Sequence, residues 1–461
     1  MAIEQVIKRL MKGAGAQALS QGVQIIIRLA EIPLFLGFWG AHRYGEWLIV
    51  AAIPSWISIA DGGFATTTGR DMTMRVAAGD RDGALASFQS SWVLLLGIVV
   101  SLAFIFGGLL FAPMVDGWMP PTADGTLAVK LAIFLLLTHV LVGFQAGLIY
   151  GAYTSEGRYA LGTTMAAATQ LTEFVGMAIA VAAGGHIEHA AMGLLAGRCI
   201  GLTLNVYVLR RTAPWIHFGW KLASWSYIRK LAAPALSALA FPLGNALNIQ
   251  GLRLLVGATL GAEAVAIFST LRTLTRSALQ PVSIITRLIE PELAMAFGSS
   301  DESMIRQLVR KGGQVAFWLS GGLCLFVLLL GPTILRIWTH GKIAMDWADF
   351  AILLSAAAVN GLWTVSLQVA YATNRTQKIA LIYTGIYGLG SFAIAWLGIK
   401  LLGLPGAAVG LLSAELAMCF QVIPMSLRMT GDSWSDWVRA VLRPPLRDFE
   451  RLWLRLRSPL R

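Results

Sequence analysis

The sequence predicts an all-α integral membrane protein, and three observations carry that prediction. The chain has 461 residues, of which 56% are hydrophobic and only 13% charged, and its mean hydropathy is +0.68. This balance lies far from that of a soluble globular protein. Apolar segments of about 20 residues, the length that crosses a bilayer, recur about twelve times. The last six of these segments repeat the first six at a nearly fixed distance along the chain.

The twelve predicted transmembrane helices follow from the apolar segments. Charged residues interrupt the second and the eighth, which are therefore the least regular. We place the helices near residues 15–38, 46–68, 88–112, 128–150, 160–184, 189–209, 233–257, 264–287, 313–337, 350–372, 379–401 and 405–427.

An internal repeat connects the two halves. A shift of 221 residues aligns Gly40 with Gly261, Asp80 with Asp301, His139 with Asn360 and Tyr150 with Tyr371; a shift of 217 aligns Arg198 with Glu415. Six helices per half, an even number, give both halves the same direction through the membrane. The sequence therefore predicts a parallel repeat about an axis along the membrane normal, and transporters of this kind bind substrates between their repeats.

The repeat also divides the chain into predicted domains. We expect an N-terminal six-helix lobe at 1–212, a cytoplasmic linker at 213–230, a C-terminal six-helix lobe at 231–428 and a basic amphipathic cytoplasmic tail at 429–461. From Leu446 onward, Arg447, Arg451 and Arg455 recur every four residues, which is typical of an interfacial helix.

Lysine and arginine placement predicts the orientation. With the N-terminus in the cytoplasm, the inner loops before the tail hold seventeen of these residues and the outer loops hold five. Positive charge is enriched on the cytoplasmic side of membrane proteins, so we expect both termini inside. The net charge of +12 lies mainly at this face. The expected partners of that charge are anionic membrane lipids, with no role for nucleic acid.

Several chemistries are disfavoured by what the sequence lacks. It contains no G-x-x-x-x-G-K phosphate loop, and no outer loop is long enough for a catalytic domain, so we expect no enzyme. Cys199, Cys324 and Cys419 lie inside predicted helices without C-x-x-C spacing and indicate no disulfide framework. An outer loop carries His186 and His189 beside an acidic residue. Three ligands without a fourth fit a solvated loop better than a metal site, so neither a metal nor a resident cofactor is predicted.

Ionisable residues at membrane depth are the strongest functional signal. Each such group near the bilayer centre costs about 3 kcal/mol on insertion scales, and such residues are functional candidates by default. The set comprises Arg28, Glu31, Asp61, Glu173, Arg198, Arg253, Arg272, Arg276 and Glu415.

Arg272 and Arg276 are the leading candidates for substrate binding. Their spacing of four residues places both guanidinium groups on one face of the eighth predicted helix. Guanidinium groups match phosphate oxygens in a bidentate manner, so the pair favours an amphiphile with a phosphate or pyrophosphate head, with Arg28 and Arg253 assisting. In the alternative interpretation, the arginines form ion pairs with acidic residues of other helices.

The acidic residues have two open interpretations. Asp61, Glu31, Glu173 and Glu415 either bind a coupling ion, H⁺ or Na⁺, or balance the arginines. Asp61 precedes Gly62 and Gly63. It fits ion coupling and the capping of a broken helix equally well.

The segment from residue 39 to residue 80 resembles a known family. The resemblance is carried by Trp39-Gly40, Tyr44-Gly45-Glu46-Trp47-Leu48, Ala52-Ile53-Pro54, Asp61-Gly62-Gly63-Phe64, Met72-Thr73-Met74 and Gly79-Asp80. These motifs resemble the Wzx-type lipopolysaccharide biosynthesis branch of the multidrug/oligosaccharidyl-lipid/polysaccharide exporter superfamily. Twelve helices rather than fourteen argue against the lipid II flippase branch.

The resemblance implies a two-lobe alternating-access transporter with a cationic central cavity. Such a protein would flip undecaprenyl-pyrophosphate-linked oligosaccharide from the cytoplasmic to the periplasmic leaflet of the bacterial inner membrane, driven by a proton or sodium gradient. A polysaccharide polymerase and glycosyltransferases would be its protein partners. Two rival interpretations remain: a multidrug exporter of the same superfamily, and a component of glycan assembly that transports nothing.

Overall fold

The computed structural model describes residues 2–61, 63–118, 124–229, 240–298, 301–373, 379 and 381–445. These residues are almost entirely helical, and the chain divides into two compact units, Met1–Pro242 and Leu243–Arg461.

The first unit contains six long helices among its described residues. They are α1 (Ala2–Ser55), α2 (Phe64–Ala77), α3 (Arg81–Leu110), α4 (Thr126–Ser155), α5 (Tyr159–Ala182) and α6 (Ile187–Thr212), with 3-10 turns at Trp56–Asp61 and Pro113–Trp118. Helix α1 is broken at Gly40, where φ is 73° and ψ is 179°. A side chain would strain this backbone, which glycine adopts readily.

The second unit contains more helices, and several of them are short. Its described helices are α7 (Ala240–Ala246), α8 (Leu252–Leu260), α9 (Ala262–Ser277), α10 (Gln280–Gly298), α11 (Glu302–Trp338), α12 (Trp347–Ala372), α13 (Ser391–Leu402), α14 (Leu404–Thr430) and α15 (Trp434–Leu442). Two π-helical segments interrupt the regular pattern: π1 (Leu247–Gly251) lies between α7 and α8, and π2 (Tyr383–Gly390) precedes α13.

Nine helices within the described residues are long and apolar enough to cross a membrane, which supports a multi-pass membrane protein. The first two predicted helices form one of these nine, Gly15–Ser58, because they run together through the break in α1. The seventh is divided by π1, and the eighth is interrupted between α9 and α10. The total of twelve, the two six-helix lobes and the orientation of the termini therefore stay predictions.

The internal repeat is visible in local backbone structure. Gly261, the repeat equivalent of Gly40, has nearly the same dihedral angles, with φ 88° and ψ 176°. Asp80 and Asp301, also equivalent, cap the N-termini of α3 and α11 by accepting a hydrogen bond from the backbone N–H three residues later. The 221-residue shift therefore aligns residues that have the same local backbone conformation.

Small residues allow the helices to approach closely. A Cβ added at Gly69 of α2 would lie 2.9 Å from the Cα of Gly151 in α4. Between α5 and α6, a Cβ at Gly193 would lie 2.3 Å from the carbonyl oxygen of Gly176. These contacts fix the backbones of the first unit close enough for buried side chains on α4, α5 and α6 to meet.

The first part of the predicted tail is ordered against α11. Helix α15 buries Trp437 and Val441, and the Nε of Arg310 donates to Asp432 over 2.8 Å. The interfacial helix predicted from Leu446 onward lies outside the described residues.

We expect Gly69→Ala to destabilise the protein, because its methyl group would meet the backbone of Gly151 rather than a side chain that can move. Overpacking of this kind costs about 1–3 kcal/mol. Thermal unfolding of the purified protein in detergent measures the loss. The matched control is Gly97→Ala in α3, where an added Cβ meets nothing within 4 Å. Equal melting temperatures for both variants would contradict the close α2–α4 contact.

Candidate functional site

The strongest candidate site in the second unit begins with Arg272 of α9. Its side chain is buried, and its two terminal nitrogens donate to Asn248: Nη1 to the carbonyl oxygen over 3.0 Å, and Nη2 to the Oδ1 over 2.6 Å. These bonds use two of the five N–H donors of a guanidinium group. Arg276 follows one helical turn later and is half-buried. The pair therefore presents two guanidinium groups on one face of α9, with the first fixed in orientation.

The partner of Arg272 belongs to an irregular part of the backbone. Asn248 lies in π1, and its Nδ2 donates to the carbonyl oxygen of Tyr387 in π2 over 3.3 Å and to the Oγ of Ser391 over 3.4 Å. π-helical turns are rare and are often found at functional sites. One buried amide thus connects Arg272 to both π segments, an arrangement that hydropathy alone does not reveal.

Glu415 of α14 lies in the same cluster but is held by neutral groups. Its Oε2 accepts hydrogen bonds from the Nδ2 of Asn360 and the Nε1 of Trp363, each over 2.9 Å. Its Oε1 accepts a bond of 3.0 Å from the Tyr387 hydroxyl. Arg276 lies close enough to attract the carboxylate electrostatically. Glu415 therefore moderates the positive charge, while neutral donors satisfy its hydrogen bonds.

The cluster carries more positive than negative charge. Arg253 of α8 donates to Gln250 over 3.2 Å and lies close enough to Arg272 to act on it electrostatically. Arg272 and Arg276 therefore lie beside one carboxylate, that of Glu415, with Arg253 near Arg272. An enclosed excess charge is costly unless an opposite charge reaches it. The cavity beside Arg272, Arg276 and Glu415 measures about 20 Å³, which is room for about one water, so a larger anion would have to approach from its open side.

The first unit contains a different buried cluster, formed by α4, α5 and α6. The Nε and Nη2 of Arg198 donate to the two oxygens of Glu173 over 2.7 and 3.1 Å. Its Nη1 donates to the backbone carbonyl of His139 over 3.3 Å, and the His139 Nε2 lies 3.4 Å from the Oε2 of Glu173. Gly143 of α4 leaves space for the guanidinium group, since a Cβ there would overlap it. Glu173 is therefore paired with Arg198 and not with Arg272 or Arg276.

The remaining predicted site residues are not brought into either cluster by the described contacts. Arg28 is exposed on α1, and Glu31 is half-buried one turn later. Asp61 ends a 3-10 turn, and its side chain lies outside the described residues. Sequence reasoning gave no role to His139, Trp363 or Tyr387. For His139, the alignment with Asn360 in the internal repeat was a signal, because both residues contact a buried glutamate.

An acidic residue connects the segments that precede α4 and α6 in the first unit. Asp124, almost fully buried, accepts hydrogen bonds from Arg43 and from the Nδ1 of His186, the latter over 2.6 Å. Its second oxygen also faces the backbone N–H of Ile187 over 3.5 Å. Burial alone would raise the pKa of Asp124, but the hydrogen bonds from Arg43 and His186 outweigh it and lower that pKa. Among the described residues, no group of three metal-ligating side chains is found.

Comparison with known proteins identifies the fold. No protein-family model and no curated protein matches the chain. Among solved structures, it resembles an inward-facing multidrug resistance MATE family transporter of the MOP superfamily, with a TM-score of 0.76 and 14% identity over 88% of this chain and 95% of that one. An outward-facing structure of such a transporter matches with a TM-score of 0.65 and 15% identity, over 92% of this chain and 96% of that one.

A third structure is a MOP superfamily transporter from Pyrococcus furiosus, described as having a binding pocket of reverse polarity that suggests a different function. It matches with a TM-score of 0.65 and 14% identity over 92% of this chain and 96% of that one. The chain therefore has the fold of MATE transporters of the MOP superfamily, as the motif resemblance implied. The Wzx-type branch stays a proposal, because identities this low show the fold alone.

We expect the cluster of Arg43, Asp124 and His186 to make the stability of the protein depend on pH. The pKa of Asp124 is lower in the folded protein, so its contribution to stability is fully present above the unfolded pKa of about 3.9 and is lost as pH falls through the folded value. Asp124→Asn should lower the melting temperature at pH 7 by a few °C, since 1 kcal/mol corresponds to about 2–4 °C for a unit of this size.

Melting temperatures measured from about pH 7 down to pH 3 test this expectation. The difference between wild type and Asp124→Asn should shrink as the pH falls. Asp116→Asn, which removes a more exposed outer carboxylate paired with Lys130, is the matched control. A constant difference across the range would refute the role of Asp124.

Proposed function

We propose that this protein is a transporter and not an enzyme. In this proposal it flips an undecaprenyl-pyrophosphate-linked oligosaccharide, an O-antigen or exopolysaccharide repeat unit, from the cytoplasmic to the periplasmic leaflet of the bacterial inner membrane. The observation that carries the proposal is the pair of Arg272 and Arg276 beside the carboxylate of Glu415, with Arg253 near Arg272. The MATE fold supports alternating access, since its solved examples include inward-facing and outward-facing conformations.

The chemistry of the cluster favours a phosphate-bearing head group. Guanidinium groups bind phosphate oxygens through paired hydrogen bonds, and the bonds that Arg272 donates to Asn248 already fix its orientation. Pre-orientation reduces the entropy lost when a ligand binds. Arg276 adds a second guanidinium group one turn away. Arg28 is proposed as a further residue that binds the head group, and only the sequence supports this role.

The driving force is proposed to be an ion gradient, because the sequence has no phosphate loop for ATP. Glu173, Glu31 and Asp61 are the proposed ion-coupling residues, and Glu415 is proposed to balance charge beside the arginines. The ion would be H⁺ or Na⁺. Anionic lipids at the basic cytoplasmic face, and a polymerase and glycosyltransferases of the same pathway, are the proposed partners.

The charge of the cluster also separates this proposal from its rivals. An exporter of cationic drugs would be served by an acidic pocket, whereas here two arginines, Arg272 and Arg276, line the cavity beside one glutamate. A non-transporting component of glycan assembly would gain nothing from buried charges that cost free energy. The reverse-polarity pocket described for the Pyrococcus furiosus protein is compatible with MOP transporters using one fold for differently charged substrates.

We expect Arg276→Gln to reduce flipping in proteoliposomes that contain the purified protein and a polyprenyl-pyrophosphate oligosaccharide. Losing one charge-assisted hydrogen-bonding group costs about 1.5–3 kcal/mol, which corresponds to roughly tenfold to a hundredfold weaker binding. Arg272→Ala should abolish flipping, and it should also lower the melting temperature, because it removes the two bonds to Asn248. A membrane-impermeant glycosidase reports which leaflet holds the sugar.

The matched control is Arg428→Gln, which removes an exposed arginine from the last turn of α14. It should flip at the wild-type rate, and Arg276→Lys should retain part of the activity because it keeps the charge. Full activity in both Arg276→Gln and Arg272→Ala would overturn the anion-site assignment. Wild-type protein that moves no glycan under either ion gradient would overturn the flippase proposal itself.

A further inference from the structure

We propose that His139 and Glu173 form a proton-binding site in the first unit, with Arg198 as the group that responds to the proton. Its use in driving transport rests on the proposed function, whereas proton binding itself does not. The site lies on α4, α5 and α6, and it identifies the coupling ion as H⁺ rather than Na⁺.

The contact between His139 and Glu173 requires a proton. The imidazole Nε2 lies 3.4 Å from the carboxylate Oε2, and this nitrogen is enclosed without a hydrogen-bond partner of normal geometry among the described residues. A deprotonated nitrogen and a carboxylate oxygen both carry lone pairs and repel each other at such a distance. A proton on the nitrogen converts this repulsion into a hydrogen bond, and a second proton on the ring gives an imidazolium ion paired with the carboxylate.

A protonated His139 competes with Arg198 for the Oε2 of Glu173. The Oε2 that faces His139 also accepts the longer of the two bonds from Arg198, at 3.1 Å, while Oε1 accepts the shorter, at 2.7 Å. The charged groups that act on Glu173 are His139 from α4 and Arg198 from α6, and those that act on His139 are Glu173 and Arg198. An imidazolium ion therefore draws Oε2 away from Arg198 and weakens the link between α5 and α6.

A cavity lies beside Glu173 and Arg198. It measures about 130 Å³, enough for several waters. Its polar lining can support a chain of hydrogen bonds to the carboxylate and comprises Tyr150, Thr169, Gln170, Glu173, Arg198 and Asn205.

The geometry disfavours a sodium ion at this place. Hard metal cations require several oxygen ligands. Here both oxygens of Glu173 already bind the guanidinium group of Arg198, and the remaining near neighbour is a nitrogen. A sodium ion would have to share the carboxylate with a fixed positive charge, whereas a proton needs only the imidazole nitrogen.

The repeat supports a division of roles between the two units. Asn360 occupies the position equivalent to His139 and also binds a buried glutamate, Glu415, over 2.9 Å. An amide cannot titrate in the physiological range, whereas an imidazole can. The first unit therefore holds an imidazole, which can titrate, at this polar centre, whereas the second unit holds an amide beside Arg272 and Arg276.

The decisive experiment is a titration of His139 in the substrate-free protein. Full-length protein with ¹⁵N-labelled histidine rings, in nanodiscs, is followed by NMR from about pH 8 to pH 5, where an imidazole takes up its second proton. The variant His139→Asn, which introduces the residue found at the equivalent position, assigns the signal. We expect the signal to titrate in wild type, and its midpoint to shift to lower pH in Glu173→Gln, because the neutral amide no longer stabilises the imidazolium ion.

A transport measurement tests the coupling role. With one proton per cycle, a gradient of one pH unit should shift the leaflet distribution of the glycan by about tenfold. His139→Asn should lose this shift. The matched control His217→Asn, which changes a histidine of the 213–230 segment, should keep it.

The outcomes separate the two proposals. A His139 signal that stays unchanged from about pH 8 to pH 5, or a His139→Asn variant that keeps the full response to the pH gradient, overturns the proton site. Wild-type protein that flips no glycan overturns the proposed function, and the titration alone then decides the proton site.

Discussion

The bond between Arg272 and Asn248 is the interaction on which the second unit's polar core depends. A buried guanidinium group is costly in a membrane unless polar groups satisfy it, and a regular helix offers none, because its carbonyl oxygens are bonded internally. Residue 248 lies in a π segment, where both its carbonyl oxygen and its side-chain oxygen face Arg272. Irregular backbone at this depth thus provides the acceptors that a cation needs.

The same bond connects elements that are far apart in sequence. The amide of Asn248 also reaches Tyr387 and Ser391, and the Tyr387 hydroxyl binds Glu415. A change at Arg272 therefore reaches α14 through hydrogen bonds alone. Such a connected polar network is costly to break at one point, since each buried group left without a partner loses its compensation. We infer that the network holds the arginine cluster in one arrangement.

Sequence reasoning predicted much of the fold and part of the site. Hydropathy located most of the described helices, and the repeat alignment matched residues with equal conformations, such as Gly40 with Gly261. Among the four proposed arginines, Arg272 is buried, whereas Arg28 is exposed. The π segments escaped prediction, because a hydropathy window averages over a turn whose geometry depends on tertiary packing. The eighth predicted span, near 264–287, was wrong as a single helix for a similar reason: its composition is continuous, but α9 ends at Ser277 and α10 begins at Gln280.

The partners of the buried charges were the least predictable feature. Sequence spacing shows which residues share a helix face. Whether an arginine forms an ion pair with Glu173 or with Glu415 depends on how the helices pack. Glu173 meets Arg198 because Gly143 leaves room for the guanidinium group on the neighbouring helix. Glu415 is instead surrounded by Asn360, Trp363 and Tyr387, which hold it without adding charge.

The neutral partners of Glu415 affect how an anion-binding site beside it would release its ligand. Three arginines without a nearby carboxylate would bind a pyrophosphate tightly, and a transporter must let go of its substrate on the far side of the membrane. Glu415 attracts Arg276, so under the proposed function it competes with the bound anion for that guanidinium group. Because neutral donors hold the carboxylate in place, the competition persists whether or not an anion is bound. A fixed internal competitor of this kind lowers affinity without removing the positive charge that selects the substrate.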